Sequence, residues 1–203
     1  MMERPPIIVR AATDTDRAAT ASVLAQAFID DPAMAYLFRS AAGRDNRLAR
    51  FFALMSDVDA EASNWSLALE DGVPVAAATW RAPGSWATPA SAMLRFLPRL
   101  VSVFGTALPR ALTLQSVLET HHPTAPHWYL QYAGCVPAQQ GKGYGGAAIR
   151  DRLAQCDAEG LPAALETATE SNLGLYRSLG FVITDSFPIG NTLTFWTMWR
   201  EPR

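Results

Sequence analysis

The residues best suited to chemistry form one glycine-rich stretch. It consists of Gln140, Gly141, Lys142, Gly143, Tyr144, Gly145 and Gly146. Glycines at alternate positions let consecutive backbone amides turn to one side, because no Cβ stands in the way. A helix that begins here adds its own unpaired amides and the positive end of its dipole. The stretch therefore predicts a main-chain binding site for a diphosphate.

Three other interpretations compete with this one. Gly141, Gly143 and Gly146 also spell G-x-G-x-x-G, and Glu166 follows twenty residues later, as in an NAD(P)-binding oxidoreductase. In that fold the first glycine directly follows a strand, whereas four residues separate Val136 from Gly141 here. A P-loop requires Ser or Thr after its lysine, which this sequence lacks. A tight turn that binds nothing is the third alternative.

A second motif follows the first at a characteristic distance. The two motifs are Gln140-x-x-Gly143-x-Gly145 and Asn172-x-x-x-Tyr176-x-x-x-Gly180-Phe181. In type, order and spacing they resemble the GNAT superfamily of N-acetyltransferases. The resemblance implies that acetyl-CoA is the co-substrate, with its pyrophosphate held by residues 140–146. It also implies that the amides of Cys135 and Val136 contact the pantetheine arm and the acetyl carbonyl.

A narrower resemblance is to the puromycin N-acetyltransferase-like bacterial group. It rests on His121-x-Pro123-x-x-Pro126-x-Trp128-Tyr129-Leu130, on residues 140–143, on Leu165-Glu166-Thr167 and on Phe28-x-x-Asp31-Pro32. Cys135 departs from that pattern, in which a glycine-valine pair is usual, and so does Gly146-Ala147, where Ser-Ala is commoner. Neither departure removes a backbone amide. The segments that would face the acceptor match too loosely to imply puromycin as the substrate.

Tyr176 and Asn172 are four residues apart, so a helix would present both to one side. We expect Asn172 to hold the pantetheine arm and Tyr176 to reach the sulfur of the departing thiolate. A phenol has an ordinary pKa of about 10 and a thiol one of about 8.5, so full proton transfer is uphill by about 2 kcal/mol. Tyr176 is therefore predicted to act as a hydrogen-bond donor.

The general base is less well specified. His121 and Glu166 are both candidates, and each could instead be structural. His122 and His127 are predicted to be surface or packing residues. The three histidines do not form H-E-x-x-H, so no metal site is expected. No G-x-S-x-G is present, which argues against a serine hydrolase.

The surrounding pattern predicts a single α+β domain over residues 1–203. Strands are expected at 7–10, 65–70, 73–81, 128–136, 163–168, 181–187 and 193–200, and helices include 44–62, 143–159 and 171–179. By the GNAT resemblance, the mostly antiparallel sheet is splayed between its fourth and fifth strands. Residues 83–126 are predicted to be a helical insertion. Its large apolar residues, with Phe28, Tyr36 and Phe38, either pack in the core or line an acceptor cleft.

Composition narrows the class of protein. The net charge of −2 gives no sign of a nucleic-acid partner, and the most hydrophobic segment, 93–108, is too short and too charged to span a membrane. The first ten residues show no secretory signal, so a cytoplasmic protein with reduced Cys135 and Cys156 is expected. It would act as a monomer or a homodimer.

The sequence thus predicts an N-acetyltransferase that moves acetyl from acetyl-CoA to the primary amine of a small molecule by direct attack in a ternary complex. The alternative is a catalytically idle acyl-CoA-binding or regulatory module. Such a module would bind coenzyme A and release no thiol with any amine.

Overall fold

The computed structural model describes residues 6–58 and 63–203 and centres on a seven-stranded mixed sheet. The strands are β1 (Ile8–Ala11), β2 (Ser63–Glu70), β3 (Val73–Arg81), β4 (Trp128–Cys135), β5 (Ala163–Thr167), β6 (Val182–Ile189) and β7 (Leu193–Arg200). Their order across the sheet is β1-β2-β3-β4-β5-β7-β6. All neighbours are antiparallel except β4 and β5. The predicted single α+β fold is confirmed.

Within the described residues, seven α-helices connect and cover the strands. They are α1 (Arg17–Ala27), α2 (Pro32–Leu37), α3 (Arg44–Val58), α4 (Ala90–Phe104), α5 (Leu108–His121), α6 (Tyr144–Glu159) and α7 (Leu173–Ser178). Helices α4 and α5 lie between β3 and β4, as the predicted helical insertion requires. Among the described residues, no helix has the length and apolar character needed to cross a membrane.

Two hydrophobic clusters lie on opposite faces of the sheet. Along β3, Ala77 belongs to one cluster, while its neighbours Ala76 and Ala78 belong to the other. This alternation follows from the pleat of a strand, which points successive side chains to opposite faces. The first cluster includes residues of α1–α5, and the second includes α6 and α7. The sheet is therefore buried on both faces where it must support a site.

The parallel pair β4 and β5 is joined only at its beginning. Trp128, Tyr129 and Leu130 pair with Ala163, Ala164 and Leu165, and no pairing continues beyond them. The two strands diverge from Gln131 and Glu166 onward. The pairing between β3 and β4 is irregular at the same level. Thr79 pairs with Tyr132 and Trp80 pairs with Leu130, so Gln131 has no pairing partner in the ladder with β3. The expected splay between the fourth and fifth strands is confirmed.

Some element limits differ from the sequence prediction. Helix α3 ends at Val58, and the last predicted residues of that helix, 59–62, lie outside the described residues. The segment 171–179 is not one helix, because a 3₁₀ turn over Glu170–Asn172 precedes α7. Asn172 and Tyr176 therefore do not lie in a continuous α-helix, although they belong to consecutive helical turns.

The insertion is attached to the rest of the molecule at several points. Arg110 on α5 donates to the carbonyl of Leu37 at 2.8 Å. His121, the last residue of α5, bonds through Nδ1 to Asp185 on β6 at 2.7 Å and stacks on Phe187. These contacts fix α5 beside the open end of the β4–β5 pair.

Candidate active site

The glycine-rich loop directs its backbone amides away from the protein's own carbonyls. Gly141 and Gly143 have φ angles of 75° and 95°, a region that favours glycine. In the described part of the chain, the amides of Gly141, Gly143, Gly145 and Gly146 donate to no protein acceptor. The last two lie in the first turn of α6, where an α-helix offers no internal acceptor. This is the arrangement that a diphosphate site requires.

The hairpin between β2 and β3 braces this loop. Glu70 accepts a hydrogen bond from Gln139 and one of 3.0 Å from the Tyr144 hydroxyl. Lys142 donates to Gln139, and its Nζ lies 3.9 Å from Glu70. Lys142 and Tyr144 thus extend from the loop toward β2, which fixes the loop's conformation in addition to any contact with a ligand.

Arg150 adds a positive charge above the first turn of α6. A Cβ placed on Gly146 would lie 3.3 Å from a guanidinium nitrogen of Arg150, so the side chain folds back over that glycine. Arg150 is exposed and forms no ion pair with any described residue. Its charge is available to an anion held by the loop. The sequence predictions did not include this residue.

The end of β4 presents one amide to the gap beside β5. Val136 donates its amide to the carbonyl of Val75 at 2.9 Å, so this amide is engaged with β3. Backbone groups of an antiparallel strand alternate between its two neighbours. The amide of Cys135 therefore faces the gap, while the carbonyl of Cys135 accepts a bond of 3.2 Å from Gln140. Of the two amides expected to reach a pantetheine arm, only that of Cys135 points there.

A cavity of about 380 Å³ lies between the diverging strands and the insertion. Asn172 and Tyr176 line it, as do Glu166 on β5 and both Tyr129 and Tyr132 on β4. Much of the remaining wall is apolar and comes from α4 and α5. A volume of this size suits a small molecule.

The predicted acceptor wall is present in part. Phe28, Trp86, Met93, Leu97, Phe104 and Leu108 line the cavity. Phe38 does not, because it is 2% exposed and belongs to the core. Tyr36 and Phe96 pack against that core as well.

Tyr176 lies in a buried position at the cavity. Burial raises the pKa of Tyr176 to about 12, and the negative charge of Asp31 acts in the same direction. Asp31 accepts bonds from the Met34 amide at 3.0 Å and the Thr169 hydroxyl at 2.9 Å. Burial raises the pKa of Asp31 too, although both bonds oppose the shift. The phenol of Tyr176 is thus held in its protonated form near an acidic group.

The histidine that meets Glu166 is His122. Its Nδ1 lies 2.9 Å from Oε1 of Glu166, and the two side chains are only 3% and 2% exposed. His122 and Glu166 both line the cavity. His121 does not line it, because its ring turns toward Asp185 and Phe187. The structure therefore separates the two base candidates named from sequence and brings a residue predicted to be surface or packing into the cavity.

Neither cysteine has the environment of a reactive thiolate. Burial raises the pKa of Cys135, and the nearby Glu70 charge contributes to the shift. Burial also raises the pKa of Cys156, to about 11. Within the described ranges, 6–58 and 63–203, no three His, Cys, Asp or Glu side chains are grouped so as to hold a metal ion.

Comparison with known proteins identifies the family. The chain matches the acetyltransferase (GNAT) family over residues 32–181. It is 42% identical over 59 residues to an uncharacterised N-acetyltransferase of Schizosaccharomyces pombe, a stretch that covers 29% of this chain and 24% of that protein. This chain thus spans about a quarter of that relative's length.

Solved structures agree with the family match over nearly the whole chain. A Corynebacterium glutamicum structure, described as histone acetyltransferase HPA2 and related acetyltransferase, is 28% identical with a TM-score of 0.74 and 97% coverage of both chains. Arylalkylamine N-acetyltransferase 2 of Aedes aegypti is 10% identical with a TM-score of 0.66, covering 97% of this chain and 99% of that one. Because the family match spans well over half of its residues, the chain belongs to the acetyltransferase (GNAT) family and is an acetyl-CoA-dependent N-acetyltransferase.

Proposed function

We propose that this N-acetyltransferase acetylates the primary amine of a small molecule with an apolar body, by direct attack in a ternary complex. The observation that carries the proposal is the cavity at the open end of the β4–β5 pair. It combines an apolar wall from α4 and α5 with two acidic residues, the half-buried Asp31 and Glu166, whose side chain is 2% exposed. An apolar amine that is protonated in water is complementary to such a cavity.

The residues of the glycine loop fit the co-substrate. Amides without protein acceptors at Gly141, Gly143, Gly145 and Gly146 would hold its diphosphate, with Arg150 adding charge. The amide of Cys135 and the side chain of Asn172 would hold the pantetheine arm. When bound, acetyl-CoA supplies a thioester whose carbonyl carbon accepts the amine. Tyr176 would donate a hydrogen bond to the sulfur as it leaves.

Direct transfer is favoured over an acetylated cysteine. A cysteine nucleophile needs its thiolate form, which burial and the Glu70 charge both disfavour at Cys135. Cys156 is fully buried in α6 and does not line the cavity. The acceptor amine is then the only nucleophile that the proposal requires.

Proteins of similar fold support a small amine as the acceptor. Besides the Aedes enzyme, a Drosophila melanogaster polyamine N-acetyltransferase that forms N-acetylagmatine shares the fold, with 14% identity, a TM-score of 0.64, and coverage of 97% of this chain and 100% of that one. The residues that resemble the puromycin N-acetyltransferase-like group lead us to propose membership of that group too. Puromycin therefore belongs in any panel of candidate acceptors.

The proposal is tested by thermal shift and by release of free thiol. We expect acetyl-CoA to raise the melting temperature and NAD to leave it unchanged. In the presence of acetyl-CoA, thiol release should occur with apolar and aromatic primary amines. The panel should contain arylalkylamines, puromycin, agmatine, polyamines and lysine-containing peptides.

Two results would contradict the proposal in different ways. If lysine-containing peptides release thiol and small amines do not, the acceptor is a lysine of a protein tail and the proposed class of acceptor is wrong. Binding of acetyl-CoA without thiol release for any amine would favour the idle module instead.

A further inference from the structure

We propose that His122 is the general base of the reaction and that Glu166 is the residue that positions it. This inference rests on the proposed function, because it assigns the proton acceptor for an amine in the same cavity. It follows from the contacts of two buried side chains, and not from the position of either residue in the sequence.

The bond between the two residues fixes the tautomer of the imidazole. His122 Nδ1 lies 2.9 Å from the carboxylate oxygen Oε1 of Glu166. A carboxylate only accepts hydrogen bonds, so Nδ1 carries the proton and donates it. In the neutral ring, Nε2 is then left with its lone pair free to accept. In serine hydrolases, a carboxylate likewise accepts a hydrogen bond from Nδ1 of the catalytic histidine and so fixes its tautomer and orientation.

The accepting nitrogen has no partner within the protein. Among the described residues, neither His122 Nε2 nor Glu166 Oε2 has a hydrogen-bond partner, and both atoms are buried. An unsatisfied buried polar group costs about 1–3 kcal/mol. Both residues line the cavity, and the two unsatisfied atoms are explained if a bound donor forms hydrogen bonds with them. A protonated primary amine carries three N–H donors and could supply a bond to each.

Aromatic neighbours hold the His122 ring in place. Trp86 stacks on it with centroids 4.0 Å apart, and Tyr129 meets it edge-on at 4.8 Å. Trp86 is itself fixed by Arg81, which donates to its carbonyl at 2.7 Å. The imidazole is thus packed between rings, and its rotation away from Glu166 is opposed.

The titratable groups around His122 come from several elements. Glu166 lies on β5, Tyr129 on β4, Arg81 on β3, and Glu119 on α5 also lines the cavity. Burial and the Glu166 charge raise the pKa of Tyr129 well above its ordinary value, so this phenol stays neutral. Of these groups, Glu166 is the one that bonds to His122 directly.

His127 is the competing base. Its ring lies 4.9 Å from that of His122, and its Nε2 is also buried without a partner in the described chain. His127 donates through Nδ1 to the carbonyl of Ala125, and burial lowers its pKa. It does not line the cavity, however, and its Nδ1 bonds to a backbone carbonyl rather than to a carboxylate. His122 is the better placed of the two.

The proposed step concerns the proton that the acceptor ammonium must lose before its nitrogen can attack the thioester. His122 Nε2 takes a proton from the acceptor ammonium and frees the nitrogen lone pair. That pair forms the amide bond while the thioester C–S bond breaks. The second nitrogen proton is passed to the departing sulfur, and the imidazolium returns its proton to solvent. The products are the N-acetylated amine, free thiol and one proton.

The test compares His122→Ala with His121→Asn in the intact enzyme, using an amine that the wild type acetylates. His122→Ala should lower kcat about 100-fold or more, because the general base is lost. Acetyl-CoA should still raise its melting temperature. His121→Asn removes the neighbouring imidazole outside the cavity but keeps an amide that can donate to Asp185, so it should keep wild-type kcat. Added imidazole should restore part of the activity of His122→Ala in proportion to its concentration.

The positioning role of Glu166 has its own readout. Glu166→Gln keeps an oxygen that can accept from Nδ1 and should retain more kcat than Glu166→Ala. The KM for acetyl-CoA should be unchanged in both variants, which a general loss of structure would not allow.

Failure of this inference can be distinguished from failure of the proposed function. If the wild type releases no thiol with any amine, the proposed function fails first. If the wild type is active and His122→Ala retains kcat within about threefold, the inference is overturned while the function stands. A large loss in His127→Gln, with normal turnover in His122→Ala, would assign the base to His127.

Discussion

The protonation state of Tyr176 decides what this residue can do. With a pKa of about 12, the phenol is protonated at every pH at which an amine acceptor is reactive. Transfer of its proton to a thiolate with an ordinary pKa of about 8.5 would be uphill by about 5 kcal/mol. A hydrogen bond to the sulfur has no such cost. Burial therefore strengthens the interpretation of Tyr176 as a donor rather than as an early proton source.

We expect Tyr176→Phe to lower kcat by about tenfold or more, since the leaving thiolate loses its donor. The phenyl ring keeps the packing of Tyr176 against Phe181, so binding of acetyl-CoA should be preserved. Turnover is measured by thiol release and binding by calorimetry. Equal kcat in the variant and the wild type would remove the assigned role.

The two adjacent histidines, His121 and His122, show which part of the site could be predicted from the sequence and which could not. His122 precedes Pro123, and a residue before proline is driven out of the α conformation. Helix α5 accordingly ends at His121, and His122 is extended with φ −70° and ψ 134°. This local signal was present in the sequence. That His122 would then meet Glu166 could not be predicted, because it depends on where the insertion lies against β5.

At the level of elements, helix α6 is the clearest case of a prediction made from local pattern. The sequence places its start at 143 and its end at 159, and the structure has Tyr144–Glu159. Its limits are set by two glycines with positive φ, Gly143 before the helix and Gly160 after it. The 3₁₀ turn before α7 was missed, because short 3₁₀ and α segments share the same spacing of apolar residues.

We expect Gly143→Ala to weaken acetyl-CoA binding about tenfold, equivalent to about 1.4 kcal/mol. Alanine is disfavoured at a φ of 95°, so the loop would shift and its amides would lose their common direction. The dissociation constant is measured by calorimetry.

Gly160→Ala is the matched control for Gly143→Ala. Its φ of 65° imposes a similar strain at the other end of the same helix, in open space. The control should be destabilised in thermal unfolding and should bind acetyl-CoA as the wild type does. Equal binding by both variants would argue against a role of this loop in holding the diphosphate.

On the scale of the whole molecule, one ion pair joins β7 to α6. Arg200 at the end of β7 is 4% exposed and bonds to both carboxylate oxygens of Asp157, at 2.7 and 2.8 Å. The hydrogen bond from Arg200 lowers the pKa of Asp157 below its ordinary value. The ionised carboxylate is therefore favoured by folding. Its contribution to stability is fully present above about pH 4 and is lost as the pH falls further.

We expect Asp157→Asn to be less stable than the wild type at pH 7 and to approach it as the pH is lowered from 5 toward 3. The neutral amide lacks the charge whose protonation destabilises the wild type. Thermal unfolding across this pH range is the measurement. Asp30→Asn, at an exposed aspartate, should follow the wild-type curve. Parallel curves for Asp157→Asn and the wild type would contradict the linkage.

The short pairing between β4 and β5 has a consequence for the lifetime of the protein. Three residue pairs are the whole ladder between the two halves of the sheet, β1–β4 and β5–β7. The pantetheine arm of acetyl-CoA, bound between the diverging ends of β4 and β5, would add contacts between the two halves of the sheet. Ligands that bind only the native state raise its stability with their concentration. The supply of acetyl groups in a cell would then govern how long this enzyme survives as well as how fast it turns over.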